Sequence, residues 1–286
     1  MSWQDTAEQA LDAMSTGQVM SGMLMGAVGV GISLYLVRER ILPAWRGLEE
    51  PSPALPWQRL HVVLLFLIYL LAGEAVGLSL RLIYGDVAWT ELGVMPSLVA
   101  SLLVNALLAV GIWTLGLSFG GSAAVYGLQR PPNRSHVARG VLMYVACVPA
   151  IYGASSLWMS LLHLSGAEVL PQVVSELVKE AAGYERWAVF LMAAVLVPIT
   201  EEFIFRGFLQ TWLVKSQGAF QGILMASVLF ALLHGTTAFG PLLAISLAAG
   251  WARHATGSLW PAIVVHICNN AVAAILLFRE AGSLGS

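Results

Sequence analysis

WAVFLMAAVLVPITEEFIFRGFLQTWL (residues 187–213) is apolar almost throughout, yet it sets Glu201, Glu202 and Arg206 within six positions of one another. About 20 apolar residues suffice to cross the roughly 30 Å hydrocarbon core of a bilayer as a helix. The stretch is long enough for that, and Glu201 then stands near its middle. A charged side chain at such depth costs about 2.5–3.5 kcal/mol on insertion scales, so three together point to a purpose.

The rest of the chain places this segment among others like it. Of 286 residues, 58% are hydrophobic and only 10% charged, with a mean hydropathy of +0.78. Soluble domains carry about 25% charged residues. The expected fold class is therefore all-α, a polytopic membrane helix bundle. Eight apolar runs qualify: about 18–37, 60–84, 94–118, 137–163, 187–213, 218–236, 239–253 and 258–278. The seventh is the shortest. Without water in the bilayer core, each must satisfy its own backbone as a helix. EEPSPALP (49–56) and RPPNRS (130–135) are proline-rich connections, and 166–186 has helical spacing with mixed charge, as an interfacial helix would. No internal repeat is evident. We divide the chain into 1–165, membrane helices of unassigned role, and 166–286, a membrane core that holds the polar motifs.

A net charge of −2 leaves no footprint for nucleic acid. Cys147 and Cys268 both sit in apolar runs, which makes them small apolar residues and excludes a disulfide framework. The first seventeen residues hold Asp5, Glu8 and Asp12 but no Lys or Arg, so an uncleaved first span is expected in place of a signal peptide. If the N-terminus lies outside, the cytoplasmic loops collect Arg38, Arg40, Arg46, Arg59, Arg130, Arg134, Arg139, Arg206, Lys215 and Arg253, ten of the fourteen basic residues. Counting Arg206 as a site residue leaves nine against four. This asymmetry predicts both termini outside.

Three helices carry polar residues that a bilayer disfavours. Glu202 and Arg206 are four apart and share a helix face, so they can pair. Glu201 points about 100° away and has no partner at that spacing. Pro198, three residues upstream, removes one helix hydrogen bond and can open the helix beside the carboxylates. FALLH places Phe230 and His234 on one face of the next span, and HICNN places His266 and Asn270 on one face of the last. Ser258 is the expected N-cap of that last helix, with Pro261 in its first turn. Glu74, Asn105, His61, His136, His163 and His254 stand alone or near span ends and receive no role.

Together these groups supply a carboxylate with an imidazole to activate water, and donors for an oxyanion. No Ser-His-Asp arrangement is apparent and no H-E-x-x-H occurs, which disfavours a serine nucleophile and a zinc-protease helix. Glu and His from separate helices remain able to ligate a metal, although no cofactor or metal is expected. Buried Glu and His also build proton relays, so a proton-coupled transporter is an alternative. A catalytically silent scaffold or immunity protein is another.

EEFIFR fits E-E-x-x-x-R, FALLH fits F-x-x-x-H and HICNN fits H-x-x-x-N, in that order. With these motifs the chain resembles the CPBP family of glutamic-type intramembrane proteases, which includes type II CAAX prenyl endopeptidases and Ras-converting enzymes, in its bacterial branch. The resemblance covers about residues 187–275. It implies that Glu201 and His234 activate water, that His266 and Asn270 stabilise the oxyanion, and that Glu202, Arg206 and Phe230 support them. It further implies an integral protein of the bacterial inner membrane that hydrolyses a peptide bond of a membrane-anchored protein or peptide.

Overall fold

The computed structural model describes residues 16–46, 57–64, 93–118, 121–167 and 173–283, with a few single positions between 55 and 85. The acidic N-terminal stretch, most of the expected second span and Glu74 lie outside the described residues. Those described form helices and turns, with no strand among them. The helices are α1 (Thr16–Leu36, continued by a π turn Val37–Ile41 and Leu42–Ala44), α2 (Val94–Ser118), α3 (Arg134–Ser165) and α4 (Val173–Glu180). They are followed by α5 (Glu185–Gln217), α6 (Ala219–Leu233), α7 (Phe239–Thr256) and α8 (Trp260–Ser283). The first part of α1 with its extension, and α2, α3, α5 and α8, are long and apolar enough to cross a membrane. The chain is an all-α polytopic membrane protein.

The bundle follows from where small and polar residues fall. On α1, Gly26 meets Gly153 of α3 so closely that a Cβ on Gly26 would stand 2.6 Å from the Gly153 carbonyl oxygen. Small residues let membrane helices approach in this way. Pro149 lies inside α3, and the next N–H, that of Ala150, donates to Ser33 Oγ of α1 at 2.9 Å. Behind α1, α3 lies against α7 and α8. Outward-facing Leu24, Met25, Leu103, Leu107 and Val110 stay exposed, as lipid-facing side chains do.

Three clusters of buried side chains hold the bundle together, two of them built in part from α5. The first joins Trp57, Tyr126, Phe203, Phe205, Phe208 and Phe230. Tyr126, in a 3₁₀ turn (Ala123–Tyr126), stacks on Trp57 and Trp113 and donates to the Ile112 carbonyl at 2.7 Å. Burial pushes its phenol up to about 12. A second cluster joins α1, α3, α7 and α8 around Met143, and a third joins α2, α4 and the start of α5 around Leu177 and Val178. In this third cluster α4 buries one face and exposes Lys179 and Glu180, in keeping with the charged segment expected at 166–186.

Two boundaries depart from expectation. The seventh run extends to Thr256 as a full 18-residue helix. Ser258 does not cap α8. Gly257, at φ +66°, ends α7 with a sharp turn that carries Ser258 into the core, where it is 1% exposed. The helix starts at Trp260, and Ser258 Oγ has no hydrogen-bond partner among the described residues.

Candidate active site

Glu201 is the 17th of the 33 residues of α5. The helix is not uniform around it. A π turn (Met192–Leu196), an α segment (Val197–Glu202) and a second π turn (Phe203–Leu209) follow in order. Single π turns inside α-helices concentrate at functional sites, because the wider turn releases backbone groups and redirects side chains. Pro198 fits the junction, since the residue there need not donate in α register.

Glu202 is fully buried and accepts two hydrogen bonds on Oε1, from Arg206 Nη1 at 2.7 Å and from His266 Nδ1 at 2.8 Å. Arg206, itself 1% exposed, sends Nη2 to Ser246 of α7, 2.6 Å from its hydroxyl and 3.3 Å from its carbonyl. The guanidinium lies 4.6 Å from the centre of the Phe230 ring, a cation–π contact. Ser246 and His266 add hydrogen bonds to this buried pair, while Glu202 Oε2 and Arg206 Nε have no hydrogen-bond partner among the described residues. One turn on, Gln210 Nε2 donates to Gly250 of α7 at 2.9 Å, so Glu202, Arg206 and Gln210 form a polar ladder along one side of α5.

Glu201 faces two imidazoles. His234 Nε2 is 3.4 Å from its Oε1, and His266 Nε2 is 3.8 Å from its Oε2. Both rings are oriented from behind. His234 Nδ1 donates to the Phe230 carbonyl at 2.7 Å, and His266 Nδ1 donates to Glu202. A carbonyl and a carboxylate can only accept, so Nδ1 carries the hydrogen in each ring and Nε2 is turned towards Glu201. Both imidazoles thus present Nε2 to the one carboxylate. Phe230 joins the parts, with its ring 4.4 Å from His234 and edge-on to His266 at 5.6 Å.

Asn270, one turn beyond His266 on α8, is held at both ends of its amide. Its Nδ2 donates to the Ala193 carbonyl in the first π turn at 2.9 Å, and its Oδ1 accepts from Asn269 at 3.2 Å. The structure thus gathers Glu201, Glu202, Arg206, Phe230, His234 and His266 into one cluster, with Asn270 one turn beyond His266 on α8. Ser246, Gln210 and Ala193 were not singled out from sequence. The i, i+4, i+8 series Glu202, Arg206, Gln210 is a signal for the ladder, whereas nothing in the sequence marks Ser246 or the Ala193 carbonyl. Among the described residues no group of three or more His, Cys, Asp or Glu is arranged to hold a metal ion.

Residues 183–272 match the family model described as Type II CAAX prenyl endopeptidase Rce1-like. No curated protein matches the chain. No solved structure matches it either. The matched segment holds α5 to most of α8 and all the residues of the cluster, while the 182 residues before it lie outside the match. Residues 183–272 are thus similar to the Rce1-like type II CAAX prenyl endopeptidases, and the polar cluster lies within that segment.

Proposed function

We propose that the chain is an intramembrane endopeptidase in which Glu201 and His234 activate a water molecule against a peptide bond of a membrane-anchored protein or peptide. The observation that supports this most is the approach of two imidazole Nε2 atoms to the two oxygens of one carboxylate at the middle of α5. The Glu201–His234 pair takes a proton from water as its oxygen bonds to the peptide carbon. The resulting oxyanion receives a hydrogen bond from the remaining Nδ2 hydrogen of Asn270 and from Nε2–H of His266. Since Nδ1 of His266 is committed to Glu202, this second donor is present only when both ring nitrogens carry hydrogen. The C–N bond then breaks, and the leaving nitrogen takes the proton held by Glu201 and His234. Atoms balance with water as the sole co-reactant and no covalent enzyme intermediate. Residues 166–286 form the catalytic core in this reading, and the helices of 1–165 brace it.

The test compares membranes of cells carrying the wild type or Glu201→Gln by quantitative proteomics, with the purified proteins assayed on what is found. A precursor should accumulate only with the variant. The purified wild type should cleave it at least roughly a hundredfold faster than the variant, the scale of general acid–base catalysis. Identical proteomes, or equal cleavage by both proteins, would overturn the assignment.

A further inference from the structure

Asn270 is held by a backbone oxygen that α5 leaves without its own donor. In the first π turn the Val197 N–H donates to the Met192 carbonyl, five residues back. The Ala193 carbonyl has two helical donors open to it, residue 197 in α register and residue 198 in π register. The first is spent on Met192, and the second is Pro198, which has no N–H. A carbonyl left bare at this depth costs several kcal/mol, and Asn270 Nδ2 occupies it at 2.9 Å. Because that oxygen only accepts, the atom facing it is the amide nitrogen. Asn269 Nδ2 fixes the other end by donating to Asn270 Oδ1. The amide is thus clamped at both ends, and one Nδ2 hydrogen is left over.

We propose that Pro198 is a positioning residue for Asn270: by withholding an N–H from Ala193 it keeps open the acceptor that orients this amide. That the orientation serves an oxyanion rests on the proteolysis proposed above. The clamp itself does not.

The experiment is a double-mutant cycle of Pro198→Ala and Asn270→Ala on the purified full chain, read in two ways. Pro198→Ala supplies the missing N–H, and alanine suits a helix interior far better than proline. Pro198→Gly supplies the same N–H and serves if the alanine variant does not fold. In detergent, the fall in Tm caused by Asn270→Ala should shrink to about half or less in the Pro198→Ala background, because the two changes act on one contact. In proteoliposomes with an anchored peptide reporter, Pro198→Ala should lower kcat roughly tenfold with KM within about twofold. Asn270→Ala should lower kcat roughly a hundredfold, and the double variant should be no slower than Asn270→Ala alone. Additive Tm shifts would overturn the clamp. Coupled Tm shifts with additive rates would overturn the positioning role. If the wild type cleaves no reporter, the protease reading falls, while the Tm cycle still decides the clamp.

Discussion

Glu201 and Glu202 are neighbours in sequence and opposites in surroundings, because a helix separates them by about 100°. Glu202 is fully buried and bonded to Arg206 and His266, while Glu201 keeps 13% of its side chain exposed and faces two imidazoles. Removing the charge of Glu202 leaves Arg206 buried without its counter-ion. Glu202→Gln should therefore destabilise the protein by about 3–5 kcal/mol, the cost of breaking a buried pair. Thermal unfolding in detergent, with Glu201→Gln as the isosteric comparison, measures this. A Glu202→Gln Tm equal to that of Glu201→Gln would show that the pair does not hold the site. The sequence discloses half of this arrangement. Spacing of four residues links Glu202 to Arg206, but the donor at His266 lies 64 residues away and no local pattern announces it. Glu202 accordingly reads as an arginine partner alone, when it is also the group that sets the tautomer of His266.

Elements bring these residues to one depth. At 15 residues, α6 is about 22 Å long by helical rise, short of the roughly 30 Å of hydrocarbon. Its end, where His234 stands, thus falls inside the bilayer at the level of Glu201 on α5. The turn that follows needs partners for its backbone there. Trp158 of α3 supplies one, with Nε1 donating to the Thr236 carbonyl at 2.6 Å and its ring 4.9 Å from Phe239. Trp158→Phe keeps the ring contact and removes the donor. We expect a loss of about 1 kcal/mol in stability and a several-fold lower kcat with KM little changed, since His234 loses its support and the substrate does not. A kcat equal to wild type would show that the turn holds His234 without Trp158. Helix positions were largely readable, because hydropathy and length govern them: 94–118 coincides with α2, and α3 starts at Arg134 because Asn133 Oδ1 accepts from the His136 N–H. The π turns of α5 were not readable, since an all-apolar run presents the same pattern in either register. Pro198 hinted at an opening without saying which carbonyl it frees.

At the scale of the whole molecule, the charge bias predicts that the loops carrying Arg38, Arg40 and Arg46 and Arg130, Arg134 and Arg139 face the cytoplasm. In a chain freed of Cys147 and Cys268, a cysteine at position 130 should resist an impermeant reagent added outside intact cells. Labelling there would reverse the orientation. The same bundle limits how a substrate arrives. Glu201 is at the middle of a 33-residue helix, and His234 beside it is 31% exposed. An extended peptide at that depth carries N–H and C=O groups that cost several kcal/mol each when left bare in hydrocarbon. The site must supply partners for that backbone, and an anchor must offset the cost of bringing it in. A lipid or transmembrane anchor contributes about 0.8 kcal/mol per buried CH₂. Some ten methylenes thus outweigh two or three unsatisfied groups. It follows that a soluble peptide should be a poor substrate even with the right scissile sequence. Two reporters in proteoliposomes, identical around the cleavage site and differing only in the anchor, make the comparison. The anchored one should show at least roughly tenfold higher kcat/KM at equal bulk concentration, since little more than 1.4 kcal/mol of retained anchor energy suffices for that. Equal cleavage of both would mean that the site opens freely to water, and that the membrane serves to hold the enzyme without selecting its substrate.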